Sequence, residues 1–162
     1  YLFKILKPEK NVGLLKSIDN LYELVTTKYI FHLEDDWEFK GNSNFMQESL
    51  NILENNRNIH QIWIRSGIPN DWLEPKNNNN FRMVKKSHYG DWTGFSFNPG
   101  LRRLSDYKLM FPEGYSKHHD KNKNSALNEH DCNLVTINFN YRAALLNSSA
   151  CKHIGENQST YK

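Results

Sequence analysis

The order of predicted elements in the first half of the chain constrains its fold more than any single motif. Strand-like apolar runs at "LFKIL", "KYIFHL" and "HQIWIRS" alternate with two segments of helical periodicity, "GLLKSIDNLYELVTT" and "NSNFMQESLNILENN". Strands separated by helices usually pair in parallel through right-handed crossovers. The sequence therefore predicts an α/β fold with a mainly parallel sheet covered by helices.

The second half has a looser pattern, in which Pro, Gly and Asn separate short elements. Strands are predicted at "FRMVKK", "GFSFN" and "YRAALL", and helical stretches near "LRRLSDYKLM" and "EHDCNLVTIN". A length of 162 residues suits one compact domain. We therefore expect a single domain over 1–162.

Composition excludes several classes of partner. The net charge of +3 arises from 21 basic and 18 acidic side chains, without the dense basic face of a nucleic-acid-binding protein. No apolar run is long enough to cross a bilayer, and the first residues lack the pattern of a signal peptide. Cys132 and Cys151 stand too far apart for a CxxC motif and predict free thiols. We expect a soluble, cytoplasmic chain of undetermined oligomeric state.

Three adjacent acids, Glu34, Asp35 and Asp36, follow the strand "YIFHL". In an open α/β sheet, ligands bind beyond the carboxyl ends of the strands. Adjacent carboxylates repel one another unless a cation or hydrogen-bond donors neutralise them, and Mg²⁺ or Mn²⁺ suits such oxygen ligands. Alternation along the chain would send Glu34 and Asp36 one way and Asp35 the other. The alternative is a solvated acidic turn that caps the next helix.

The segment "YIFHLEDDWEF" resembles the short acidic metal motif of nucleotide-sugar glycosyltransferases with the GT-A fold. "NVGLLKSIDNLYELVTTKYIFHLEDD" resembles the Asn-x-Gly, helix, strand, acid order of family 2 glycosyltransferases, and "EDDWEF" resembles the motif of N-acetylglucosaminyltransferase I-like enzymes. The resemblance implies a three-layer α/β/α, Rossmann-like fold, a nucleotide-sugar donor, and Mn²⁺ or Mg²⁺. It assigns Asp36 to the metal, Asp35 to the ribose, and Glu34 to the nucleotide or its surroundings.

Three downstream segments are similar to later elements of the same enzymes. "FSFNPGLRR" resembles the loop that opens the acceptor half, which implies that Asn98 and Gly100 contact the acceptor. "NEHD" resembles the acidic segment that supplies the catalytic base, either Glu129 or Asp131. "CKHIGENQS" resembles a late His-x-Gly element that returns a histidine, His153, to the metal or diphosphate. Each segment alone would be an ordinary turn, helix start or packed histidine.

The resemblance implies a nucleotide- and metal-binding half at 1–65, an acceptor half at 66–162, and sugar transfer to a hydroxyl acceptor with inversion. The tryptophans are candidates for stacking on a sugar, and Trp92, which precedes the acceptor loop, is preferred. The other three are Trp37, Trp63 and Trp72.

The chain departs from the family pattern at its start. A complete nucleotide-binding half begins with a further strand and helix, whereas this chain opens at what resembles the second strand. We expect a fragment, a minimal variant, or a sheet completed by a partner. Two other functions stay open: a non-catalytic carbohydrate- or nucleotide-binding remnant, and a metal-dependent phosphoesterase that uses His118-His119-Asp120.

Overall fold

A computed structural model describes residues 3–41, 43–75, 80–86, 92–118 and 125–155 of the chain. Strands and helices are interleaved along these residues, and short 3₁₀ turns occur at Asn70–Trp72 and Tyr115–His118. In chain order the elements are α1 Leu14–Tyr22, β1 Tyr29–His32, β2 Trp37–Phe39, α2 Phe45–Asn55, β3 Ile59–Trp63, β4 Phe81–Met83, β5 Gly100–Arg103, α3 Leu104–Met110, α4 Ser125–Asn138, β6 Arg142–Leu146 and β7 Cys151–His153.

The main sheet has five strands in the order β1-β5-β3-β6-β4, and β2 pairs with β7 in a separate ribbon. In the main sheet, β3 and β6 are parallel, whereas β5 is antiparallel to both β1 and β3, and β4 is antiparallel to β6. The expectation of a mainly parallel sheet is therefore wrong. The physical reason is β5, a strand from late in the chain that enters between β1 and β3 in the opposite direction.

Helices cover both faces of this sheet, which confirms the α/β class. One apolar cluster joins α1, α3 and α4 to the face of Ile30, and a second joins α2 to the face of Ile62 and Leu101. Helical periodicity predicts an inward face of Leu14, Ile18, Leu21 and Val25, with Leu15 and Tyr22 beside it. In the structure α1 turns Leu15, Ile18 and Tyr22 inward, and the prediction is wrong for Leu14 and Leu21, which are exposed.

The predicted helices at α1, α2 and α4 are confirmed, and so are the predicted strands at β1, β3, β4 and β6. The described part of "LFKIL", residues 3–6, forms no strand. The segment "GFSFN" also forms no strand, although Phe95 and Phe97 are buried. Side chains replace the ladder bonds there: Asn133 accepts from the Phe95 amide at 3.3 Å and Glu129 accepts from the Phe97 amide at 2.8 Å.

The helix predicted from "LRRLSDYKLM" is correct only from Leu104 onward, because Leu101 to Arg103 belong to strand β5. Propensity alone does not reveal the strand. The pairing of β5 with β1 and β3 is made between residues distant in sequence, and it overrides the local preference.

Gly100 allows β5 to approach β3 closely. It pairs with His32 of β1 on one side and with Trp63 of β3 on the other. A Cβ atom at this position would lie 2.4 Å from the carbonyl oxygen of Ile62, a contact that backbone cannot easily relieve. Glycine is therefore required here for packing.

Both cysteines are buried free thiols, as the sequence predicts. Among the residues that the structure describes, no helix has the length and apolarity that crossing a membrane requires.

We expect Gly100→Ala to lower the free energy of unfolding by about 2–3 kcal/mol, because the added methyl group overpacks the contact between β3 and β5. Denaturant titration measures this difference. Gly41→Ala is the matched control: a Cβ there meets nothing within 4 Å, so its effect, about 1 kcal/mol, comes from the positive φ alone. Equal losses in the two variants would contradict the packing role of Gly100.

Candidate functional site

One edge of the main sheet gathers most of the predicted site residues. Strands β1 and β3 point in the same direction because both are antiparallel to β5, and β6 is parallel to β3. The acids that follow β1, Arg65 that follows β3, and Asn98 that precedes β5 therefore lie at the same edge. This confirms that the three acids lie where β1 ends, in the turn between β1 and β2.

Asp36 and His153 meet at this edge although they lie 117 positions apart in the sequence. The β2–β7 ribbon brings them together, because His153 of β7 pairs with Trp37, the residue that follows Asp36. His153 Nε2 lies 3.0 Å from Asp36 Oδ2, and the Ile154 amide donates to the Asp36 carbonyl at 2.9 Å. A Cβ on Gly155 would stand 3.1 Å from both Asp36 Oδ2 and His153 Nε2, so the glycine keeps this approach open.

The Asp36–His153 pair has an unsatisfied oxygen. Asp36 Oδ1 is buried and has no hydrogen-bond partner among the described residues. Buried oxygens are normally satisfied, so an orphan of this kind points to water or an ion. A carboxylate oxygen beside an imidazole nitrogen fits a divalent cation.

The same pair supplies only part of a metal's coordination shell. Among the described residues, no group of three His, Cys, Asp or Glu side chains could hold a metal ion by itself. Mg²⁺ commonly binds to one or two carboxylates and completes its shell with water and substrate phosphates. The residues therefore fit a metal that is held jointly with a phosphorylated ligand.

Glu34 is a half-buried acid beside this pair. Its pKa is raised to about 7, mainly by burial and also by the negative charges of Asp36 and Glu129, while the side chains of Trp37 and Arg102 oppose the shift. The three carboxylates of Glu34, Asp36 and Glu129 are thus electrostatic neighbours. At neutral pH Glu34 is partly protonated, which reduces the repulsion between them.

Glu129 extends from α4 toward the same group of acids. Its Oε1 accepts hydrogen bonds from the Phe97 amide at 2.8 Å and from the Ser96 hydroxyl at 3.3 Å. Burial raises its pKa, whereas these two bonds and the nearby charges of Arg102 and Arg65 lower it. The carboxylate is therefore oriented by backbone and kept in electrostatic contact with two cations.

Asp131 lies two residues further along α4, which places it about 200° around the helix axis from Glu129. It is half-buried. Asp131 therefore lies on a different side of α4 from Glu129 and does not share the contacts that orient Glu129 at the sheet edge.

Three further predicted residues occupy different environments. Asp35 is exposed in the turn after β1. Asn98 lines a cavity at the sheet edge, and its backbone amide donates to Ser96 Oγ at 3.1 Å. Gly100 is buried between β1 and β3, where strand packing explains it. Acceptor binding by Asn98 and Gly100 stays a prediction.

Trp92 packs between two other tryptophans. Its ring centre lies 5.5 Å from that of Trp63 and 5.5 Å from that of Trp72, and its Nε1 donates to the Phe95 carbonyl at 3.3 Å. These contacts give Trp92 a structural role, and its stacking on a sugar stays a prediction. Trp37 is the tryptophan that lines the cavity at the sheet edge.

Sequence reasoning missed two arginines of the site. Arg102 is buried, donates to the Ser96 carbonyl at 3.1 Å and to Tyr115 Oη at 3.4 Å, and acts electrostatically on Glu34 and Glu129. Arg65 follows β3 and lies with its Cζ 5.3 Å from the centre of the Trp37 ring. The available signal was an arginine inside or directly after an apolar strand, a position that arginine occupies rarely without a partner.

A cavity of about 280 Å³ lies at this edge of the sheet. It is lined by Arg65, Trp37, Asn98, His153 and Lys152, together with the small residues at 66 and 67. Its walls carry two positively charged side chains, Arg65 and Lys152, and also His153, a side chain that can bind a metal ion. The cavity is therefore suited to a ligand with a negatively charged part.

The alternative phosphoesterase cluster gains little from the described residues. His118 ends a 3₁₀ turn and packs edge-on against Phe111, with ring centres 5.5 Å apart. His119 and Asp120 lie outside the described residues.

No protein-family model matches this chain, and no curated protein matches it with significant sequence similarity. Its function must therefore be inferred from the geometry of the sheet edge and from the motifs themselves.

We expect Glu34→Gln to raise the free energy of unfolding at pH 8 by about 1–2 kcal/mol after allowance for solvent screening. The pKa of Glu34 is higher in the folded protein than its ordinary value of 4.5, so its ionisation opposes folding as pH rises from about 4.5 through about 7. Denaturant titration at pH 5 and pH 8, with a chelator present, measures the difference. A variant that gains as much at pH 5 as at pH 8 would contradict this origin.

Proposed function

We propose that this protein is a metal-dependent glycosyltransferase that moves a sugar from a nucleotide-diphosphate donor to a hydroxyl acceptor with inversion. The observation that carries the proposal is the convergence of Asp36, His153 and Glu129 at one sheet edge. Three motifs that resemble separate glycosyltransferase elements thus meet at one place. A chance resemblance would not require them to meet.

We propose that the fold is a variant of the GT-A arrangement. Helices on both faces of the sheet, the acidic turn after β1 and the late histidine on β7 support this assignment. The antiparallel strand β5 makes the sheet mixed.

Asp36 and His153 would hold Mn²⁺ or Mg²⁺ together with the donor diphosphate. When bound, such an ion offsets the negative charge that develops on the departing nucleoside diphosphate. The orphaned Asp36 Oδ1 supports this role, because it can act as a ligand without breaking a hydrogen bond. His153 Nε2 would exchange its 3.0 Å hydrogen bond with Asp36 Oδ2 for the metal. Glu34 would adjust the charge around them by taking up a proton.

Glu129 is our choice as the catalytic base. In direct displacement, the acceptor oxygen forms a bond to the anomeric carbon, the bond from that carbon to the phosphate oxygen breaks, and the hydroxyl proton passes to the base. Both hydrogen bonds to the Glu129 carboxylate fall on Oε1, which leaves Oε2 to take the proton. Burial also raises its pKa, which strengthens the carboxylate as a base.

We expect Asp36→Asn and His153→Ala to abolish Mn²⁺-dependent binding of the donor, because each removes one of the two protein ligands. Isothermal titration of nucleotide sugars with and without Mn²⁺ measures this binding. Full sugar transfer by Asp36→Asn would contradict the metal assignment.

We expect Glu129→Gln to keep donor binding but to lower the rate of transfer by about 10²–10⁴-fold, the usual effect of losing a general base. Asp131→Asn is the matched control and should keep most of the activity. The reverse result would move the base to Asp131. Tight donor binding by the unaltered protein, with no transfer or donor hydrolysis, would support a non-catalytic binding protein instead.

A further inference from the structure

We infer that Arg65 forms the centre of a site for a phosphoryl anion, in the cavity beside Asp36 and His153, and that this site binds the anion without a metal. The identification of the anion as the donor diphosphate rests on the proposed function. The presence of an anion site does not.

The first observation is an arginine charge without a close partner. Other arginines of the described residues that have little exposed surface are paired or bonded. An Arg103 nitrogen lies 2.5 Å from an Asp106 oxygen, a nitrogen of the half-buried Arg142 lies 2.6 Å from a Glu74 oxygen, and the buried Arg102 donates to the Ser96 carbonyl at 3.1 Å. Arg65 has no carboxylate within 4.0 Å among the described residues, although Glu129 acts on it from a greater distance. A half-buried cation of this kind is costly unless an anion neutralises it.

The second observation is an unsatisfied donor on the same side chain. Arg65 Nε is buried and has no hydrogen-bond partner among the described residues. An unmade bond of this kind usually costs about 1–3 kcal/mol. Arg102 Nε is also unsatisfied, but Arg102 donates from its other nitrogens to Ser96 and Tyr115, whereas no nitrogen of Arg65 has a hydrogen-bond partner among the described residues. A phosphoryl ligand would supply these missing acceptors. The site is therefore preformed in its charge and in its donors.

The third observation is the contact between the guanidinium and an aromatic ring. It lies over the Trp37 ring, 5.3 Å from the ring centre, and this stacking limits its orientations. A planar guanidinium held in this way can donate two parallel hydrogen bonds to a phosphate. A guanidinium that lies against a ring is therefore better oriented than a mobile surface cation, and we expect it to bind phosphate more tightly.

The cavity beside Arg65 has the composition that an anion requires. Its volume is about 280 Å³, and its other walls include Lys152, Asn98 and the small residue Gly67. Lys152 is exposed and likewise has no carboxylate within ion-pair distance among the described residues. It would add long-range attraction, with a smaller contribution than Arg65.

The position of Arg65 also suits the proposed transfer. His153 lines the same cavity, so an anion held by Arg65 would lie beside the Asp36–His153 pair. Glu129 is close enough to Arg65 for the two charges to influence each other. An anion bound between them would connect the metal-binding pair to the base.

The test is calorimetric titration of inorganic pyrophosphate into the protein with EDTA present. We expect binding, and we expect Arg65→Gln to weaken it by about 10- to 100-fold, the usual contribution of charge-assisted hydrogen bonds. Arg65→Lys keeps the charge but loses the planar donor pair, so it should weaken binding less than Arg65→Gln. Lys152→Gln should have the smallest effect of the three.

Arg57→Gln is the matched control, since Arg57 is exposed and lies just before the start of β3, whereas Arg65 follows the other end of that strand. It should leave pyrophosphate affinity unchanged, and thermal unfolding of every variant shows that it is folded. A nucleoside without phosphate, titrated in the same way, separates recognition of the phosphate from recognition of the base. Pyrophosphate must bind in EDTA whether or not the nucleoside does.

Absence of pyrophosphate binding in EDTA, or equal affinity in folded Arg65→Gln and Arg57→Gln, would overturn the inference. Either result leaves the proposed transfer untouched if nucleotide sugars still bind with Mn²⁺. Conversely, Arg65-dependent pyrophosphate binding by a protein that accepts no nucleotide sugar would confirm the anion site and contradict the glycosyltransferase.

Discussion

The close approach of β5 to β3 at Gly100 is the constraint on which the site depends. A Cβ atom at position 100 would lie 2.4 Å from the Ile62 carbonyl oxygen. Because glycine has no Cβ atom, the two backbones can pair, and β5 fits between β1 and β3. Because both neighbours run opposite to β5, their carboxyl ends meet where β5 begins. The acids after β1, Arg65 after β3 and the segment before β5 are thereby brought to one edge.

The site is an assembly of opposed charges that only the fold makes tolerable. Glu34 is repelled by both Asp36 and Glu129, while Arg102 attracts Glu34 and Glu129 and Arg65 attracts Glu129. Among the described residues, neither arginine forms a close ion pair with these acids. Backbone and hydroxyl donors fix Glu129, and partial protonation relieves Glu34. Binding sites commonly retain such unfavourable electrostatics, because groups that are already satisfied have little to offer a ligand.

Local patterns predicted most helices, the strand β1 and the position of the acids, because these depend on periodicity and on short apolar runs. They failed where distant contacts decide. The sequence pattern placed Leu101 to Arg103 of β5 in a helix. It also placed "GFSFN" in a strand, whereas hydrogen bonds to the side chains of Glu129 and Asn133 take the place of strand pairing there. Arg65 and Arg102 escaped notice because their importance arises from neighbours far away in the sequence. The ordered motifs predicted Asp36 and His153 as partners only through the resemblance.

The most direct measurement is thermal unfolding of the protein with UDP, GDP, CDP and their sugars, each with and without Mn²⁺. A ligand that binds the folded state must raise the unfolding temperature. We expect the nucleotides of one base to raise the unfolding temperature and Mn²⁺ to enlarge the rise. No rise with any nucleotide, in the presence or absence of Mn²⁺, would contradict a nucleotide-sugar site at this sheet edge.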